Sequence, residues 1–225
     1  MASIVFEERI SIPMGMSSLD EFRIWARSDE FPESGRIDYI SGNIEVDMSP
    51  EDIFTHGTLK TSMAATLFER VTMLELGHLC CDSTRVSHPE ANLSVEPDIV
   101  LITHEAIETG RVTFVSKASG VADRFVEIEG TPELIVEIVS DSSVKKDTQR
   151  LLAAYHAAGV QEYWLVDARG EEVSFQINAR AAGQYQPAAM DSNGFQKSDV
   201  MACHYRLHRT RGKHGYWQYA LEAKP

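Results

Sequence analysis

The sequence predicts an α/β domain with a core in the order α-β-β-β-α-β, a β-hairpin ahead of it and additional strands behind it. Three observations carry that expectation. Leu134-Ile-Val-Glu-Ile-Val139 is an almost unbroken apolar run, as expected of a strand covered on both faces. From Phe54 to about Leu76, the apolar residues Leu59, Met63, Leu67, Val71 and Leu74 recur at intervals of three and four, the spacing of a long amphipathic helix. A second helical segment, roughly 144–158, separates that strand from another, Tyr163-Trp-Leu-Val-Asp167.

Taken in order, residues 1–16 read as a loosely attached leading segment. Ser18 then caps a short helix, with Glu21 three residues on at capping-box spacing. Ile37 to Val46 reads as two strands around Ser41-Gly42-Asn43, where glycine supplies the positive φ of a hairpin turn. After the long helix, Gly77 is the expected stop. Three strands follow, near His78–Val86, at Ile99-Val-Leu-Ile-Thr103 and at Leu134–Val139, with 104–130 read as loop or short helix. Ser142 or Ser143 caps the second helix, and Gly159 ends it. Val173–Ile177 and Tyr216–Leu221 alternate as further strands. No long Pro, Gly or Ser linker divides the chain. Residues 1–180 are therefore expected to form one domain, with 181–225 as a β extension packed on it.

The 225 residues hold 21 Lys+Arg against 34 Asp+Glu, a net charge of −13, with 43% hydrophobic residues. This excludes wholesale disorder and argues against a general nucleic-acid coat protein, which needs cations against phosphate. No apolar stretch is long enough to span a membrane, and the first residues lack a basic region followed by an apolar core. Three cysteines cannot make a disulfide framework. A reduced, cytoplasmic location is the expectation. The charge is uneven: residues 204–225 carry five bases against one acid, or +4, which leaves −17 for the rest. That tail reads either as a solvated hairpin, with Trp217 and Tyr219 packing a core edge, or as a phosphate-contacting arm.

Two acids stand out. Glu137 sits inside an apolar strand, where an unpaired carboxylate costs several kcal/mol unless it is paired, protonated or on a metal. Asp98 precedes the apolar run Ile99–Ile102, either as a turn-forming residue after Pro97 or as a site acid. Together, at the ends of neighbouring strands, they suit one divalent cation such as Mg²⁺, with the Ile138 carbonyl as a third oxygen.

At these residues the sequence resembles a known family. Glu96-Pro97-Asp98, then Pro132-Glu-Leu-Ile-Val-Glu137-Ile-Val-Ser140, Asp147, Tyr155, Gly159-Val160 and Glu162-Tyr163-Trp164-Leu-Val-Asp167 look like the Uma-two family. Upstream, Asp38-Tyr-Ile-Ser-Gly42-Asn-Ile, Met48-Ser49-Pro50 and His56 fit the same pattern. The resemblance covers roughly 17–180. It implies a restriction endonuclease-like fold of the PD-(D/E)XK superfamily, DNA as substrate, a Mg²⁺ or Mn²⁺ cofactor and a homodimer. It makes Asp98 the aspartate of the Pro-Asp motif and Glu137 the first acid of Glu-x-Lys. The superfamily's lysine would stand at Val139, or in Uma-two proteins at Leu151, and neither is basic here. Lys146 and Arg150 are the nearby cations; four residues apart on a helix, they would share a face and hold a phosphate or orient water. His56 opens the first helix, either as a proton-shuttling residue beside the metal or as a surface histidine.

Phosphate-loop, zinc-spacing and Gly-x-Ser-x-Gly patterns are absent from the sequence. Two functions remain: a Mg²⁺-dependent DNA endonuclease, or a catalytically degenerate nuclease fold that binds nucleic acid or protein.

Overall fold

A computed structural model describes residues 12–225. Most of the leading segment, 1–16, lies outside the described residues. Helix α1 (Leu19–Ala26) starts at Ser18, whose Oγ accepts the Glu21 N–H at 3.3 Å. The Glu21 carboxylate reaches one residue further back than the capping box expects, accepting the Ser17 N–H at 2.6 Å. Phe22 and Trp25 of α1 pack with Phe31, Ile37 and Tyr39 in a small aromatic cluster.

Strands β1 (Arg36–Ile40) and β2 (Asn43–Asp47) form the expected hairpin. Ser41 and Gly42, at φ 50 and 89, make its two-residue turn. The long helix departs from expectation at its start. Ile53–Thr58 is a π-helical turn, and regular helix α2 runs Leu59–Met73. Leu59, Met63, Leu67 and Val71 are buried as the spacing predicted, but Leu74 lies past the end of α2 and is exposed. Glu75, at φ 49, ends the helix; Gly77 opens the next strand instead. A Cβ on Gly77 would collide with the Ile102 carbonyl, so close strand approach is what demands glycine there.

The strand expected near 78–86 is two strands. β3 (Gly77–Cys81) and β4 (Arg85–His88) belong to different sheets, with Asp82 and Ser83 between them at positive φ. β5 (Leu93–Val95) and β6 (Ile99–Thr103) follow. The segment 104–130 holds more order than expected: α3 (His104–Glu108), β7 (Val112–Ser116) and β8 (Phe125–Gly130). Then come β9 (Leu134–Ile138), a second π-helical turn at Lys146–Leu151, α4 (Leu152–Ala157) and β10 (Glu162–Asp167). The last strands are β11 (Ser174–Arg180), β12 (Tyr185–Pro187), β13 (Gln196–Ser198), β14 (Cys203–Arg211) and β15 (Trp217–Lys224).

These strands form three sheets, ordered β2-β1-β5-β4-β8-β7, β12-β11-β10-β9-β6-β3 and β13-β14-β15. In the central one, β3, β6 and β9 are antiparallel neighbours, and β10 lies parallel to β9 after the crossover through α4. One core lies between the central sheet, α2 and the C-terminal strands, around Leu67, Val136, Trp164 and Tyr205. A second fills the space between the central and first sheets, around Val100, Ile135, Tyr155 and Val95. Arg85 joins the first sheet to α1. Its guanidinium sits 5.2 and 4.9 Å from the Phe22 and Phe31 rings and donates to Ile37 O at 3.0 Å and Glu96 Oε1 at 2.5 Å. Among the described residues, no helix is long and apolar enough to cross a membrane.

Candidate functional site

Strand register brings the two singled-out acids together. Ile99 pairs with Val136 across antiparallel β6 and β9, which sets Asp98 opposite Glu137. Both side chains leave the sheet on the face of Val100 and Ile135, towards the first sheet and α4, and both are buried. From that sheet, β1 contributes Arg36 and Asp38, two residues apart and so on one face. The π-helical turn before α2 brings in His56, and Lys60 follows it in the first turn of the helix. The site therefore lies at the seam between two sheets.

Each oxygen of Asp98 has two partners. Oδ1 accepts from Arg36 at 2.8 Å and lies 3.5 Å from Lys60 Nζ. Oδ2 accepts the Ile138 N–H at 2.7 Å and lies 3.5 Å from His56 Nε2. Burial alone would raise the Asp98 pKa, but contact with His56 and the charges of Arg36 and Lys60 hold it well below the usual carboxylate range. His56 shows the complement: burial favours its neutral form, yet contact with Asp98 prevails and its pKa is raised. Its Nδ1 is 3.2 Å from Glu51 Oε2, outside hydrogen-bonding geometry. Lys60 is clasped by Glu51 at 2.9 Å and Asp82 at 2.5 Å.

Glu137 is different. Among the described residues its only hydrogen-bond partner is the Tyr155 hydroxyl, which donates to Oε1 at 2.7 Å. Burial, then Asp98 and Asp147, push its pKa well above the ordinary value, so the isolated carboxyl keeps its proton. Asp147, buried and accepting from the Ser143 hydroxyl, is raised to about 6, chiefly by burial.

The two cations expected from the second helix both face the hairpin, with different outcomes. Asp38 and Glu45 are cross-strand partners on β1 and β2. Lys146 Nζ reaches Asp38 Oδ2 at 3.0 Å, where both side chains are buried, and the charge of Asp38 raises its pKa although burial opposes it. Arg150 pairs with Glu45 at 2.6 Å, half-exposed. Among the described residues it makes no hydrogen bond or ion pair with Asp98 or Glu137. Arg150, expected with Lys146 to hold a phosphate or orient water, is held by the outer member of the acid pair at the rim. Ile138 enters through its N–H, which orients Asp98.

Arg36, Glu51, Lys60, Tyr155 and the acid of Asp147 went unassigned in the sequence reading. Two of them carried a signal: Arg36 shares strand parity with Asp38, and Lys60 is four residues from His56.

Does this set of residues suit a divalent cation? Ligand atoms of Glu51, His56 and Asp98 all lie within 4.8 Å of one another. Glu137, buried beside them, has no cation in hydrogen-bonding contact among the described residues, so a metal would supply the charge its ionised form needs. The donors are mainly hard carboxylates, as Mg²⁺ or Mn²⁺ prefers. The residues fit. Above them opens a cleft of about 720 Å³, bordered by Arg36, His56, Arg169 and acids that include Asp47, Glu51, Asp82 and Asp141. A second cleft of about 470 Å³ adjoins it at Arg36 and reaches Lys146. Ser142 Oγ donates to Asp47 Oδ2 at 2.6 Å where the two clefts meet.

The Uma2 family, described as "Putative restriction endonuclease", matches residues 19–204. A crystal structure of "a putative nuclease belonging to DUF820" from Anabaena variabilis is 18% identical, with a TM-score of 0.57 over 82% of this chain and 90% of that one. At that identity the likeness is one of fold, and it agrees with the restriction endonuclease-like core order expected from the sequence. No curated protein matches the chain.

Proposed function

Because the chain belongs to the Uma2 family of restriction endonuclease-like proteins, we propose that it is a Mg²⁺- or Mn²⁺-dependent endonuclease that hydrolyses phosphodiester bonds of DNA. The observation that carries this reading is the cross-strand pair Asp98 and Glu137, two buried carboxylates with opposite pKa shifts beneath a polar cleft.

Asp98 and Glu137 would hold the cation, with the Ile138 carbonyl and Glu51 as further oxygens and His56 beside them. When bound, that cation supplies Lewis-acid polarisation of a phosphoryl oxygen. Everything else is the work of the chain. Arg36, Lys60 and the Ile138 N–H keep Asp98 ionised and oriented. Glu137 stores a proton of its own while accepting the Tyr155 hydroxyl, and must shed that proton to become a ligand, so metal affinity rises with pH. Lys146 keeps its charge beside Asp38 and Glu137 and stabilises charge that develops on the phosphoryl group. His56 holds its proton between Glu51 and Asp98 and is the proton carrier at the cleft floor.

Asp98→Ala and Glu137→Ala abolish Mg²⁺-dependent nicking of supercoiled DNA in this reading, and nicking that persists in both variants overturns the site. One observation favours a second reading, a degenerate nuclease fold that binds without cutting: both oxygens of Asp98 already have cationic or N–H partners. Calorimetric titration of EDTA-treated protein with Mn²⁺ separates the two. Absence of binding at millimolar metal leaves only the binding module.

A further inference from the structure

The cleft poses an electrostatic problem for any polyanionic substrate. Asp47, Glu51, Asp52, Asp82, Glu96 and Asp141 border it against Arg36 and Arg169, in a chain whose first 203 residues carry −17. Cations for a phosphate backbone have to come from elsewhere. One group of them stands at the tip of the β14–β15 hairpin, Arg211-Gly-Lys-His-Gly-Tyr216.

Some of the tail cations are already engaged. Arg206 pairs with Glu222 and lies over the Phe195 ring at 4.6 Å, and Lys224 is 5.7 Å from the same ring. Towards the tip the partners are no longer acids: Arg209 and Arg211 lie over the Trp217 ring, at 4.0 and 3.3 Å. Among the described residues, Arg209, Arg211 and Lys213 have no acidic partner, and Lys213 and His214 make no hydrogen bond or ion pair. Lys213 and His214 are exposed. The backbone holding them is well defined: the Gly212 N–H donates to Tyr216 O at 2.8 Å, the Gly215 N–H to Gly212 O at 2.9 Å, and Arg211 to Gly215 O at 2.9 Å. Gly215 takes φ 81, which favours glycine.

The tip is also anchored beside the cleft on two sides. Tyr216 stacks on Phe54 with centroids 4.6 Å apart and planes 5° apart, two residues from His56. Arg209 donates to Ala168 O at 2.8 Å and Gly170 O at 2.9 Å, and also to Glu171 O, which fastens the hairpin to the loop bearing Arg169. The family match ends at residue 204, so this tip lies beyond it.

We propose that the tip of the C-terminal hairpin, Arg211, Lys213 and His214, is an arm that grips the phosphodiester backbone of duplex DNA at the mouth of the acidic cleft. The proposal deepens the nuclease reading and rests on it for the choice of DNA. Contacts of this kind position the duplex without reading its sequence, and each releases condensed counterions.

The test is fluorescence anisotropy of a short labelled duplex with the full chain in EDTA, across about 50–200 mM NaCl. Lys213→Gln disturbs no partner, and Arg211→Gln/Lys213→Gln removes both strong cations, with thermal melting as the check on folding. Each lost contact flattens the slope of log affinity against log salt by about 0.9 and weakens binding about eightfold at ~0.1 M salt. Wild-type affinity and slope in both variants, or no duplex binding by the wild type, overturns the arm. Binding that depends on the tip in a wild-type protein unable to cut with Mg²⁺ or Mn²⁺ upholds the arm and overturns the nuclease reading alone.

Discussion

Lys146→Met tests whether the buried ion pair behind the site is a structural necessity. Lys146 Nζ lies 3.0 Å from Asp38 Oδ2, with side-chain exposures of 7% and 2%. At an effective dielectric of about 20, that separation gives a gross attraction of about 5.5 kcal/mol. Desolvation of both groups offsets much of it in the intact pair. Methionine fills a similar volume but leaves the Asp38 carboxylate buried, with the Glu96 N–H, at 3.1 Å, as its one remaining hydrogen bond among the described residues. The expected loss is about 3–5 kcal/mol. Asp38→Asn/Lys146→Met removes both charges and regains about 2 kcal/mol or more. The assay is urea unfolding of EDTA-treated protein at neutral pH, read as a midpoint shift at constant slope. A loss below about 1 kcal/mol would match a solvated surface pair and refute the reasoning. So would a double variant no more stable than the single.

Asp147 yields a prediction about pH. Its carboxyl is raised to about 6 in the fold, so between the ordinary aspartate range and that value the folded chain binds a proton that the unfolded chain has released. This group's contribution therefore falls as pH rises from about 4 to 6. Asp147→Asn gains on the wild type over that window, to about 3 kcal/mol; a difference between the two that stays constant with pH in urea titrations contradicts the assignment. Gly77→Ala costs at least about 2 kcal/mol, because its Cβ would strike the Ile102 carbonyl and lie 2.7 Å from Thr103 Cα. Gly42→Ala, at φ 89 in open space, costs only about 1–2 kcal/mol of backbone strain. Thermal melts that fail to rank Gly77→Ala as the worse of the two count against the close-approach argument.

The core strands were legible because burial on both faces writes them as apolar runs, as in Ile99–Ile102 and Leu134–Val139. The pair β7 and β8 was not, since Thr113, Phe114, Val126 and Phe125 are exposed and no inward face repeats along them. The π-helical turns were also missed. Apolar spacing reports which residues face the core, and a turn of one extra residue leaves Leu59 to Val71 in register. At the site, Asp98 and Glu137 stood out as acids beside apolar runs. Lys146 and Arg150 share a face as their spacing predicts, but only the hairpin register, which pairs Asp38 with Glu45, determines which of them is buried. Glu51 comes from a separate segment of chain, so no local pattern could have joined it to Asp98.

Arg85 is where distant parts of the fold meet. The same guanidinium lies against two aromatic rings below α1, donates to the carbonyl of Ile37 and grips Glu96, two residues ahead of Asp98. A helix with no polar group at the site thus helps to decide where its central aspartate stands. Trimming Phe22 or Phe31 would change the setting of that carboxylate while every one of its direct partners kept its identity.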